Sequence, residues 1–224
     1  MHTVEALIAA FEATGEARYL DRGDDVARQF TVTLAKAAEG QVWEHYTEDW
    51  QHDWTYNIDK PDDLFKPWGF QPGHQVEWAK LLLQLDMHRP ADWHLVTARR
   101  LYDLAMTRGW DDEHGGLVYG YAPDGSFADT HKYFWVHAEA IATAWRLYDR
   151  TGDARYRTDY DRLWSWSWDH LVDHKHGAWY RITTREGDWV EPYKSPAGKV
   201  DYHTMGACWD CLLYTSDAAD DVAS

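Results

Sequence analysis

The stretch "PGHQVEWAKLLLQL", residues 72–85, reads as the start of a buried helix, yet its first turn carries a histidine and a glutamate. His74 and Glu77 are three apart and share one helical face with Leu81. Two titratable groups at the head of a core-facing stripe suit a helix that lines a cavity better than one sealed in a solid core.

Helical periodicity extends outward on both sides of this stretch. It predicts helices at about 3–14, 17–38, 74–87, 90–108, 135–150, 154–171 and 203–213. They come in pairs joined by short turns, and two turns share the pattern Thr-Gly-acid-Ala-Arg-Tyr, at 14–19 and 151–156. Between pairs lie "EGQVWEHY", "EHGGLVYGY" and "KHGAWYRI", each read as a short strand or hairpin; His114-Gly115 and His176-Gly177 recur 62 residues apart. A helix–turn–helix–hairpin unit repeating at this scale is a repeat architecture whose units bury their faces only by stacking on neighbours. The expected fold is all-α, an α/α toroid with one helix of each pair inside. "WSWSWDHL" alternates like a strand but continues a helical frame, so it is assigned to an outer helix.

The starts of the expected inner helices then align as "MHTVEAL", "GHQVEWAKL", "WVHAEAIA" and "DYHTMGAC". Each holds a histidine (His2, His74, His137, His203), and three hold a glutamate soon after (Glu5, Glu77, Glu139). A histidine on an apolar face is commonly a satisfied core residue, and an inherited capping role would repeat too. Four at equivalent positions point to a ring around one end of a cavity. A helix N-terminus disfavours imidazolium, whereas a carboxylate favours it and orients the ring. Together they suit general acid–base chemistry.

Composition agrees. The chain carries 15 Trp, 14 Tyr and 13 His, polar-edged aromatics that suit a wide polar cavity where sugar rings stack. Its formal net charge is −16 with no Lys/Arg cluster, which excludes nucleic acid and anionic membrane as partners. No apolar stretch is long enough to span a membrane. The first twenty residues lack a basic n-region, and two cysteines cannot staple a fold of this size, so a cytoplasmic location is expected.

At "PWGFQPGHQVEWAKLLLQ", "YFWVHAEAIATAWRLY" and "KSPAGKVDYHTMGAC" the chain resembles the N-acylglucosamine 2-epimerase superfamily, over residues 1–211. The resemblance implies an (α/α)6 barrel and no metal or redox cofactor. It implies His74 and His203 as catalytic acid/base residues and Glu77 as the glutamate holding His74. Trp135, Glu139 and His2 line the sugar site, and Lys66 stands where isomerase members commonly carry Arg. His137 replaces a usual Gln and stays outside the catalytic set. The Trp that cellobiose 2-epimerases place before the second histidine has no counterpart, and "GHQVEWAKLLL" looks more like the D-mannose isomerase branch. The implied activity is aldose–ketose isomerisation of a monosaccharide, of the D-mannose to D-fructose type, through an enediol. N-Acylglucosamine or N-acetylmannosamine 2-epimerisation is the alternative, and an inactive fragment or non-catalytic sugar-binding protein a second.

Members have about twelve main helices, so about seven imply an incomplete ring lacking the N-terminal third. Exposed apolar edges would then favour poor stability or a homo-oligomer. Residues 212–224 break the pattern and are expected to be a non-native or disordered tail resembling translated adapter sequence. Three further readings have less behind them. Asp49, Asp53, Asp111 and Asp112 could supply a glycosidase carboxylate pair, but nothing sets their separation. Cys208-Trp-Asp-Cys211 cannot complete a zinc site alone and is expected to pack. The loop 52–67 is polar and aromatic, as lids often are.

Overall fold

The stretch 72–85 lies within α3 (Pro72–His88), with Pro72 at its first position, where no intrahelical N–H bond is lost. In the computed structural model, which describes residues 1–63, 65–194 and 202–222 (side chains of the last stretch as far as Leu212), every residue from Val76 to Leu83 is buried. The helix is therefore enclosed on all faces rather than along one stripe. α4 (Asp92–Gly109) packs along it, preceded by a hairpin of α1 (His2–Thr14) and α2 (Ala17–Arg28). α2 comes close to α3 at Gly23, where a Cβ would stand 3.3 Å from Leu85 Cδ2. These helices form one compact unit, residues 1–109, with the segment 120–129, where β1 (Gly120–Tyr121) pairs antiparallel with β2 (Phe127–Asp129). Phe70 bridges to Tyr121, and Trp43, Phe70 and Tyr121 pack together with Ala38.

The second unit comprises residues 110–119 and 130 onward. It holds β3 (Lys132–Tyr133), α5 (Phe134–Thr151), α6 (Ala154–His170), β4 (Ile182–Thr183) and α7 (Tyr202–Val222). β3 and β4 pair antiparallel. α5 packs on both α6 and α7. Ala138 and Ala142, one turn apart on α5, meet Ala207 of α7; their small side chains allow a close approach of the two backbones. "WSWSWDHL" is helical within α6 as far as His170, with Leu171 as its C-cap.

Both sequence repeats are structural repeats. After α1, Gly15 turns left-handed (φ 72°) and Thr14 Oγ1 donates to Ala10 O, while Arg18 pairs with Glu16 at 2.8 Å. After α5, Gly152 (φ 67°), Thr151 with Leu147 O, and Arg155 with Asp153 at 2.9 Å repeat this end in detail. The recurrence at 62 residues is a turn built on an aspartate. Asp111 Oδ1 accepts from the backbone N–H of Glu113 and His114, and Asp173 Oδ1 accepts from those of Lys175 and His176. Each aspartate also pairs with a lysine 21 residues on, Asp111 with Lys132 at 3.4 Å and Asp173 with Lys194 at 2.6 Å.

Three expectations change. The helix expected over 17–38 is α-helical only to Arg28, then passes through a π turn (Gln29–Thr33) and a 3-10 turn (Leu34–Ala38). The cause is local. The Thr31 hydroxyl bonds back to Ala27 O, and the Arg100 guanidinium takes the Thr31 carbonyl at 2.6 Å, so this backbone need not keep α-helical pairing. "EGQVWEHY" is not a hairpin but an irregular segment with one isolated bridge, Tyr46 to His52. α7 continues past the expected 213, and most of the segment expected to be a tail from 212 onward has side chains outside the described residues.

Candidate active site

Two glutamate–histidine pairs, one in each unit, sit at helix starts. In the first unit His74 is the third residue of α3, and its Nδ1 is 2.7 Å from Glu44 Oε2. Glu44 comes from the irregular segment before α3, which is held residue by residue. Tyr121 OH donates to Gln41 Oε1. Val42 N–H donates to Gln75 Oε1 at 2.9 Å, and Gln75 Nε2 returns a bond to Val42 O at 2.7 Å. Trp43 Nε1 donates to Asp53 O, and His45 Nε2 bonds Pro67 O. A backbone paired with a side chain one residue along from His74 thus presents Glu44 to the imidazole. Burial opposes the His74 imidazolium, but the Glu44 charge and hydrogen bond, with the Glu77 charge, raise its pKa above the ordinary value.

In the second unit His203 lies at the start of α7, and its Nδ1 is 2.7 Å from Glu139 Oε1 on α5. Glu139 is buried at 1% exposure and His203 is largely buried. Trp135, one turn before Glu139, lies with its ring 5.4 Å from the His203 ring at 34°. Tyr202 and Phe134 also flank that imidazole. Trp135 and Glu139 therefore meet His203 from one face of α5. Both histidines have Nδ1 engaged by a carboxylate, which favours the tautomer with its proton on Nδ1 and a lone pair on Nε2.

A family model described as N-acylglucosamine 2-epimerase (GlcNAc 2-epimerase) matches residues 1–207. The chain belongs to that family. A D-mannose isomerase of Marinomonas mediterranea is 54% identical over 213 residues, covering 95% of this chain and 54% of that protein. One of Thermobifida fusca is 37% identical over 220 residues, covering 92% of this chain and 52% of the other. A crystal structure of a D-mannose isomerase superposes with a TM-score of 0.92 at 53% identity, over 94% of this chain and 54% of that one. The chain spans about half the length of the curated relatives it matches. The mostly helical fold is that of the (α/α)6-barrel members of this family.

Other residues that family resemblance singled out fall into place unevenly. Glu77 is buried, and its Oε1 lies 3.8 Å from His2 Nδ1, which is also 3.4 Å from Glu5. The ligand-type atoms of His2, Glu5 and Glu77 come within 4.8 Å of one another, a grouping that surface acids often form without any ion. The carboxylate bonded to His74 Nδ1 is thus Glu44, while Glu77 acts on that ring through its charge. Lys66 sits on the 52–67 loop, its ammonium 6.0 Å from the Tyr56 ring centroid. That loop packs through stacked His52 and Trp54 and a bond from Trp68 Nε1 to Trp54 O.

Several of the remaining candidates are engaged in structural bonds. His137 is fully buried; its Nδ1 bonds Tyr133 O, its Nε2 accepts from Leu117 N–H, and its ring stacks on Trp166. Asp111 is tied to Arg185 and Lys132, and Asp53 Oδ1 accepts from Thr55 and Tyr56 N–H, so neither is a free carboxylate for glycoside cleavage. Cys211 accepts from Tyr160 OH and Cys208 is exposed, and neither forms a disulfide among the described residues. Glu44 is the site residue that sequence reading passed over. Its signal was present, a glutamate between Trp43 and His45 in an aromatic segment, but helical spacing cannot see a partner 30 residues away. Much of "KSPAGKVDYH", used to place His203, lies outside the described residues.

Proposed function

We propose that this chain is part of a sugar isomerase that interconverts an aldose and its ketose, of the D-mannose to D-fructose type. The observation that carries the proposal is the recurrence of one arrangement: a histidine at a helix start whose Nδ1 is held at 2.7 Å by a glutamate, in each of the two units. Relatives named D-mannose isomerase, at 54% and 37% identity, support the substrate class. In this reading one histidine Nε2 removes the C2 proton of an open-chain aldose while O1 is protonated, giving a 1,2-enediol. A proton is then delivered to C1 and the O2 proton is lost, giving the ketose. Trp135 offers a flat face for the sugar beside His203, and Glu77, His2 and Lys66 contact hydroxyls. The functional region is residues 1–211, and a cytoplasmic location belongs to the same reading.

The test is incubation with D-mannose in deuterium oxide. The expected product is fructose labelled at C1, with His74→Ala and His203→Ala each lowering kcat by roughly 100-fold or more. Labelled glucose at C2, or conversion of N-acetylmannosamine alone, would replace isomerisation by 2-epimerisation. Mannose binding without turnover would leave a sugar-binding protein.

A further inference from the structure

We propose that Glu44 is the positioning residue of His74, keeping a proton on Nδ1 so that Nε2 is the nitrogen that exchanges protons with a substrate. The catalytic consequence rests on the isomerase reading; the placement of the proton does not. A carboxylate can only accept a hydrogen bond, so a neutral His74 bonded at 2.7 Å through Nδ1 carries its proton on that atom. Glu44 is itself fixed. Gln75, the next residue of α3, bonds both N–H and C=O of Val42, and Trp43 and His45 are anchored on either side of Glu44. The Glu44 side chain is only 14% exposed and that of His74 27%, so water competes little for the bond. Its second oxygen, Oε1, is buried beside the pair.

Among the described residues, three charged groups act on His74. Glu44 approaches from the irregular segment, Glu77 lies one turn along α3, and the α-amino group of Met1 faces it from the start of α1. Glu77 and Glu44 pull the imidazole toward its charged form; the amino group and burial push against that. Of these groups, Glu44 combines charge with a directional bond to Nδ1.

The experiment is a nitrogen-15 NMR titration of the full 224-residue chain, labelled at histidine, without sugar. The wild type should show His74 in a single tautomer with its proton on Nδ1, titrating above the ordinary histidine value. Glu44→Gln should lower the midpoint and release the ring into a mixture of tautomers, and Glu77→Gln should lower the midpoint while keeping the tautomer. Glu44→Asp keeps the charge but draws it back by one methylene; it should hold the midpoint high and loosen the tautomer, and it serves if Glu44→Gln does not fold. An unchanged tautomer in both Glu44 variants would overturn the proposal. With D-mannose, Glu44→Gln should reduce kcat by roughly 10–100-fold, leave KM nearly unchanged and move the acidic limb of the pH profile. A tautomer change without any mannose turnover in the wild type would sink the isomerase reading and leave the placement of the proton intact.

Discussion

His137 shows how one histidine in the aligned set is spent on structure. Both ring nitrogens are bonded, to Tyr133 O at 2.9 Å and from Leu117 N–H at 3.0 Å, and the ring is fully buried against Trp166. Burial, with Lys132 and His170 nearby, lowers its pKa to about 3. The unfolded chain takes up this proton near pH 6.5 and the folded chain does not. His137 therefore contributes stability that is full above about pH 6.5 and falls as the pH drops toward 3. Replacing it by Gln should cost about 1–3 kcal/mol at pH 7 by leaving a buried bond unmade. The gap between wild type and His137→Gln in urea unfolding should narrow from pH 7 to pH 5; a constant gap would show that the ring is not neutral in the fold. His74 is shifted the opposite way because a carboxylate, rather than a carbonyl, holds its Nδ1.

At the scale of elements, the two aspartate turns are the same device in different surroundings. Asp111 and Lys132 are almost wholly buried, at 1% and 0% side-chain exposure, and Arg185 adds a second cation. Asp173 is less enclosed, at 6% side-chain exposure, and Lys194 is 30% exposed. Burial opposes ionisation of Asp111, yet Arg185, Lys132 and two backbone N–H groups bring its pKa down to about 2. Its contribution is therefore present above about pH 3.9 and is lost as the pH falls toward 2. Removing the carboxylate strands a buried ammonium in the first turn and a half-hydrated one in the second. Asp111→Ala should then cost about 3–5 kcal/mol and Asp173→Ala clearly less, measured by urea unfolding. Equal costs would mean that burial of the lysine does not set the energy.

For the molecule as a whole, the dominant long-range term is charge. The chain has 38 acidic and 22 basic residues. Self-repulsion of a −16 chain opposes the folded state. Screening shortens that repulsion to about 8 Å at 0.15 M salt. Raising NaCl from 10 mM to 150 mM should stabilise the fold by about 1 kcal/mol and raise Tm by roughly 2–4 °C. A fall in Tm would mean that the paired clusters, such as Arg146 with Asp210 at 2.6 Å, outweigh the net charge. None of the described helices is long and apolar enough to cross a membrane, in keeping with that surface.

Helix order, the paired turns and the 62-residue recurrence were legible in the sequence because each depends on residues close together in the chain: glycine at a left-handed position, aspartate beside its own turn, apolar periodicity along one helix. The helix starts carrying His74 and His203 were legible for the same reason. Tertiary structure alone decided which carboxylate each histidine meets. Glu44 reaches His74 across 30 residues because Gln75 pairs with Val42, and Glu139 reaches His203 across 64 because α5 and α7 approach at Ala138, Ala142 and Ala207. Such partners are chosen by backbone approach and burial, which no spacing rule encodes. The same applies to the end of the 17–38 helix, where Arg100 of α4 takes a carbonyl that helical propensity would have assigned to the next turn.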